Sequence, residues 1–219
     1  MRWTDIAAAR RRNEAASQTP DALVAASGLT RDETHTYRQD GWALVSVTQA
    51  IRAAGLMGDT SFYTADSATR GTAVHLMTEQ IDQGTLEDAL APALAGYGDA
   101  YRRFIADHRP VWTLTEAMRA DLALGYAGTI DRAGTLATYP RAGVLDVKSG
   151  GPAPWHRLQL SAYRRLVAAD LSSPLIARYT LYLAADGTYR IDALPLDDRE
   201  DWQTFQAALA VASWQRRYL

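Results

Sequence analysis

The chain has no cysteine. That absence removes disulfides, thiolate zinc sites, iron–sulfur clusters and cysteine nucleophiles together, so any metal must sit on oxygen or imidazole. Lysine is almost missing as well: of 23 basic residues, only Lys148 is not arginine. Arginine is a permanently charged fork, whereas an ammonium is a compact charge whose pKa its surroundings can lower, so the lone lysine points to a position that needs that property. Long apolar runs are absent too. No stretch approaches the roughly 20 residues that span a bilayer, and Met1 to Ala9, followed by Arg10, Arg11 and Arg12, lacks an apolar signal-peptide core, which predicts a cytoplasmic protein with no membrane partner. Neither sign of charge dominates. A formal net charge of -2 does not announce a nucleic-acid binder, so such a role has to come from a site.

What is present, 219 residues of which 47% are hydrophobic and 22% charged, suits one globular domain with a sizeable core. The stretch 1–44 reads as a helical or extended segment packed on that core, with short helices at 5–16 and 21–26, and 45–219 reads as the main domain. Ser46-Val47-Thr48-Gln49 is a capping-box pattern that opens a helix ending near Gly55. Val74, Met77 and Ile81 predict a helix over 68–83, and further helices are expected at 86–95 and 100–106. After Pro110 the pattern turns to alternation broken by glycine and proline, predicting strands at 111–116, 118–133, 136–139 and 142–148. A helix over 154–169, strands at 176–184 and 189–194 around an Asp186-Gly187 turn, and a helix over 199–214 complete a single α/β domain with a mixed sheet.

Chemistry concentrates in a few places. Alternation in Val144-Leu145-Asp146-Val147-Lys148 puts Asp146 and Lys148 on one strand face; an arbitrary Asp-x-Lys is more often an exposed ion pair of little energetic consequence. Asp131, in Gly128-Thr129-Ile130-Asp131, lies on a strand that a turn at Gly134 could bring alongside. Converging carboxylates without thiolates suit a hard dication such as Mg2+ or Mn2+; a solvated strand-end aspartate is the plain alternative. Gln159 and Tyr163 share a helix face at i and i+4, as do His75 and Glu79. A lone histidine on such a helix is more often packed or hydrogen-bonded than a ligand.

Gly71, His75 and Glu79, then Glu116, then Gly128-Thr129-Ile130-Asp131, then Asp146-Val147-Lys148-Ser149-Gly150, then Gln159-Leu160 and Tyr163 together resemble the PD-(D/E)xK nuclease superfamily. The likeness is to the branch with the RecB nuclease domain, phage lambda-type exonucleases and CRISPR-associated nucleases of similar motif order, and it spans roughly Val45 to Leu194. Ile130 stands where the name has proline, and the second acid is Asp146 where many relatives carry glutamate.

The resemblance implies a restriction-endonuclease-like core, a mixed β-sheet flanked by helices with the acids and the lysine on adjacent strands. It implies Mg2+ or Mn2+, one or two ions, on His75, Asp131, Asp146 and the Val147 main-chain carbonyl, with Glu79 or Glu116 as a further candidate and no iron–sulfur cluster. Asp131, Asp146, Lys148, Gln159 and Tyr163 become the catalytic set, with Lys148 as general base or electrostatic anchor. The activity implied is hydrolysis of DNA phosphodiester bonds, foremost as an exonuclease on DNA ends in recombination or repair, in a phage or bacterial setting. Endonuclease action, a DNA-end-binding protein that does not cut, and a metal-dependent hydrolase of another substrate are the alternatives. Double-stranded ends or single strands are the expected partners, with a recombination partner protein and an oligomer left open. Arg102, Arg103, Arg141, Arg157, Arg164 and Arg165 are candidate phosphate contacts, each equally readable as solvated charge, and Trp155 is a candidate stacking surface.

Overall fold

A computed structural model describes residues 28–32, 36–58, 64–86, 90–173 and 175–219; the helices expected at 5–16 and 21–26 lie outside them. The elements in order are β1 (Leu29–Arg31), β2 (Tyr37–Gln39), β3 (Trp42–Ser46), α1 (Val47–Ala53), α2 (Ala65–Gln83), α3 (Pro92–His108), β4 (Val111–Asp121), β5 (Tyr126–Thr135), β6 (Gly143–Lys148), α4 (His156–Leu166), α5 (Ala168–Leu171), β7 (Ala177–Leu183), β8 (Tyr189–Ala193) and α6 (Arg199–Tyr218). The strands form one mixed sheet in the order β1-β2-β3-β5-β6-β7-β8, with β4 also paired to β5. β3 runs parallel to the start of β5, and β6 runs parallel to β7. The end of β5 pairs antiparallel with β6, so β5 joins the two halves of the sheet.

Period-two alternation distributes the core. Val144 on β6 and Ile130 on β5 pack with Ile51 of α1, Leu160 of α4 and Phe205 of α6. Leu145 and Val147 pack on the opposite face with Val74 and Met77 of α2 and Tyr101 and Phe104 of α3. The protein is thus a single α/β domain whose mixed sheet is flanked by helices on both faces. Among the described residues no helix is long and apolar enough to cross a membrane.

Local signals held where they were strong. The Ser46 hydroxyl accepts from the Gln49 amide while the Gln49 side chain accepts from the Ser46 amide, the reciprocal cap expected of α1. α2 starts three residues before the predicted Ala68, because Thr64 caps it by accepting from Ser67 N–H. The stretch before Val45 contributes strands β1 and β2 to the sheet rather than helix in its described part.

Five expectations are corrected. The helices expected at 86–95 and 100–106 are replaced by one, α3, which runs through Gly96 and Gly98 without a break. Gly96 is there for packing: a Cβ on it would stand 1.7 Å from the Ala185 carbonyl oxygen in the β7–β8 turn. The strands expected at 111–116 and 118–133 are instead β4 and β5 with a turn between them. Leu122 and Leu124 disguise that turn as strand, but both are exposed, Asp121 accepts from the Leu124 amide, and Gly125 takes a φ of 73°. Residues 136–139 form no strand; Leu136 is buried and the Ala137 amide bonds the His108 carbonyl, closing α3 onto the sheet. The helix expected over 154–169 splits at Val167 into α4 and α5, and α6 runs on past Trp214 to Tyr218.

Gly96→Ala gains the intrinsic helix propensity of alanine, about 1 kcal/mol, yet must push α3 off the β7–β8 turn at a cost of about 1–3 kcal/mol or more. Net destabilisation is therefore expected in denaturant unfolding; a variant more stable than wild type would refute the packing role.

Candidate metal centre

The site forms where β5 and β6 part. Their backbone pairing runs Gly134 opposite Gly143, Ala133 opposite Val144 and Arg132 opposite Leu145. The next pair in that register would be Asp131 opposite Asp146, but there the Asp131 side chain takes over and its Oδ2 accepts the Val147 amide at 2.7 Å. Both aspartates are buried, Asp146 at 1% exposure.

His75 of α2 and Glu116 of β4 meet Asp131 at this point. His75 Nδ1 stands 3.3 Å from Glu116 Oε1 and 3.5 Å from Asp131 Oδ2. One donor atom from each of the three lies within 4.8 Å of the others, so the group could bind a metal ion. Adjacent ligands on an octahedral ion with bonds of about 2.0–2.1 Å are about 3 Å apart, so the observed spacings need only small closure. Glu116 has a φ of 45°, a left-handed conformation inside a strand. Such a non-glycine residue costs about 1–3 kcal/mol and persists where the surroundings impose it.

What imposes it is Arg132, which is fully buried. Its guanidinium donates to Asp82 at 2.5 Å, Glu116 at 3.3 Å, Thr78 at 3.2 Å, Tyr101 at 3.3 Å and the Asp131 carbonyl at 2.6 Å. Every nitrogen of the fork is used, and both acids of the cluster are tied to it by side chain or main chain. Arg132 is not among the residues singled out from sequence. Its signal was a second charge, directly after Asp131, in the otherwise uncharged strand stretch from Tyr126 to Ala133.

The second half of the site is built on α4. Lys148 Nζ contacts Asp146 Oδ2 at 2.6 Å, donates to Gln159 Oε1 at 3.2 Å and lies 5.4 Å from the centre of the Trp155 ring. Gln159 Nε2 donates to the Tyr163 hydroxyl at 3.1 Å, which fixes the amide with its oxygen toward the lysine. Tyr163 in turn needs Gly128, since a Cβ there would meet the ring at 2.5 Å. Asp146 Oδ1 is buried and has no hydrogen-bond partner among the described residues, which is unusual for a buried carboxylate oxygen. His156, buried and beside Lys148, has its pKa driven down to about 4, by burial first and by the lysine charge second. Neutral, its Nδ1 accepts from the Tyr182 hydroxyl at 3.0 Å.

The residues named from sequence are thus largely brought together: His75, Asp131, Asp146, Lys148, Gln159 and Tyr163 line one site. Of the two optional acids, Glu116 joins it. Glu79, one turn beyond His75, accepts from Gln83 at 3.2 Å and stands outside the three-residue group. For Val147 the structure shows the amide, held by Asp131. Trp155 is no open stacking surface: it is 8% exposed, packed edge-on to His156 under Lys148. Most of the candidate arginines have structural partners, Arg157 with Asp201, Arg164 and Arg165 with Asp198, and Arg102 with Asp99.

The donor set fits a hard dication: carboxylate oxygens and one imidazole, no sulfur, and an unsatisfied buried oxygen on Asp146. No family model matches the chain, and no curated protein matches it.

Burial opposes a charge on His75, but Asp131 and Glu116 outweigh it and hold its pKa at about 9. Burial also pushes the Asp131 carboxyl up, with Asp146 and Glu116 adding to the rise against the pull of His75. A metal ion must displace the His75 proton, so affinity is lower at low pH and increases as pH rises toward 9. Calorimetric titration with Mn2+ should show about tenfold tighter binding per pH unit from pH 6 to 8, with proton release, and Glu116→Gln should weaken binding at least about tenfold. Binding that is independent of pH and of Glu116 would disprove this site.

Proposed function

We propose that this protein is a metal-dependent DNA nuclease of the PD-(D/E)xK type, with a restriction-endonuclease-like core and Mg2+ or Mn2+ as its cofactor. The observation that carries the reading is the joining of the His75, Glu116 and Asp131 cluster to the Asp146–Lys148 pair on adjacent strands, between helices from both layers. Action on DNA ends in recombination or repair, in the cytoplasm of a bacterial cell, is the form the motif order favours.

His75, Glu116, Asp131 and Asp146 would hold the ion. When bound, it neutralises phosphate charge and lowers the pKa of water, the chemistry that phosphodiester hydrolysis needs. Lys148 supplies a fixed cation beside the acids. Its contacts to Asp146, Gln159 and Trp155 leave little freedom, so its charge costs no reorganisation when negative charge builds on a phosphate. Gln159 and Tyr163 are positioning residues for that ammonium. Asp146 Oδ1, buried and without a partner among the described residues, is an acceptor available to what enters.

Gly71 supports an approach over α2. It lies one turn before His75 on the same helix face, and a Cβ there would meet nothing within 4 Å. A helix-interior glycine costs about 0.5–1 kcal/mol relative to alanine, and no packing in the described residues repays it. Room for a substrate backbone next to His75 accounts for it.

Incubating wild type with end-labelled linear duplex, single-stranded and closed-circular DNA, with Mg2+, Mn2+ or EDTA, tests the activity. Metal-dependent cleavage is expected, falling by about 100-fold or more in Lys148→Ala, whose fold and Mn2+ binding remain; full activity in that variant ends the assignment. Loss of linear DNA alone identifies an exonuclease, and cutting of the circle an endonuclease. Gly71→Ala should raise unfolding stability by about 0.5–1 kcal/mol while lowering DNA cleavage and sparing Mn2+ affinity. Unchanged kcat/KM there would remove the glycine from the substrate path.

A further inference from the structure

Beyond Lys148 the chain leaves β6 through Gly150 and Gly151 and borders a cavity of about 430 Å³. Its other walls include Tyr97, Tyr182, Tyr189 and Arg190, and among the described residues no acidic one lines it. Tyr182 is the hinge between cavity and site: it stands opposite Lys148 in the β6–β7 register, and its hydroxyl bonds His156. Arg190 lies with its guanidinium 4.8 Å from the centre of the Tyr182 ring and is 56% exposed, with an ion pair to Asp192 at 2.9 Å. That pair is too open to water to hold the arginine strongly.

The two glycines are not explained by the fold. Neither has a φ in the left-handed region, and a Cβ on either would meet nothing within 4 Å. Consecutive glycines without a packing or conformational need mark a place where something else approaches the backbone closely. The remaining features define its chemistry. Tyrosine faces and a guanidinium plane are the groups on which bases stack regardless of sequence. The volume lies at the small end of the roughly 300–1,000 Å³ of ligand pockets, enough for one nucleotide and too small for a duplex groove contact.

We infer that this cavity is a subsite for the base of one unpaired nucleotide adjoining the scissile phosphate, stacked on Tyr182 and Arg190 with its backbone over Gly150 and Gly151. This rests on the nuclease reading and adds to it the form of the substrate: the strand enters the site with at least one base out of its pair.

The test uses the full chain with Mn2+ and labelled single-stranded oligonucleotides that carry one abasic residue, moved stepwise across the cleaved positions. Wild type should lose about tenfold or more in kcat/KM at one position only. Tyr182→Leu and Arg190→Ala should be weakened on the intact strand and insensitive to the abasic residue at that position, whereas Tyr182→Phe, which keeps the ring and loses the bond to His156, should retain the abasic penalty there. Arg190, being exposed, provides a variant that keeps the core intact. Cleavage by wild type with no position sensitive to base loss, or a full abasic penalty persisting in both variants, overturns the subsite alone. No metal-dependent cleavage of any DNA by wild type overturns the nuclease reading and the subsite with it.

Discussion

The Asp131 carboxylate stands where a backbone hydrogen bond between β5 and β6 would otherwise be. By accepting the Val147 amide it ends the pairing of the two strands without leaving that amide unsatisfied in the interior. The strands part in the middle of the sheet, and the gap is lined by the groups that continue the register, Asp131 and Asp146. One hydrogen bond therefore terminates a ladder, fixes the rotamer of an acid and opens a polar site between two apolar layers.

Such a site accumulates negative charge that the interior disfavours, and besides His75 the structure answers with two cations of different kind. Arg132 is sealed off, its planar fork spread over Asp82, Glu116 and the Asp131 carbonyl. Lys148 faces the other side, against Asp146 and Gln159, at the partly exposed end of β6. Buried ion pairs seldom stabilise a fold beyond an apolar core of the same shape, so their worth is in holding groups in place. The strained backbone at Glu116 fits that account, since it brings a carboxylate to His75 that a regular strand would have sent elsewhere.

Much of this was legible beforehand, for identifiable reasons. The capping box at Ser46, the period of α2 and the alternation around Asp146 are local properties, each decided within a few residues. Errors arose where packing overrode them. Gly96 sits inside a helix because a turn presses on it, and Leu122 and Leu124 occupy a turn although they look like strand residues. Spacing placed Glu79 one helical turn from His75 and so offered it as a ligand, whereas Glu116 reaches His75 from strand β4, 41 residues on.

By itself the sequence determined the secondary-structure periods, the exclusion of sulfur chemistry and the short list of acids, histidine and lysine, because composition and local spacing act without knowledge of the fold. Only the tertiary structure decided which acid meets His75, that Arg132 underlies them, that Trp155 is covered and that a cavity adjoins Lys148. Those facts depend on which strands lie side by side and where their pairing stops, and contacts between distant segments are written in no single stretch of chain.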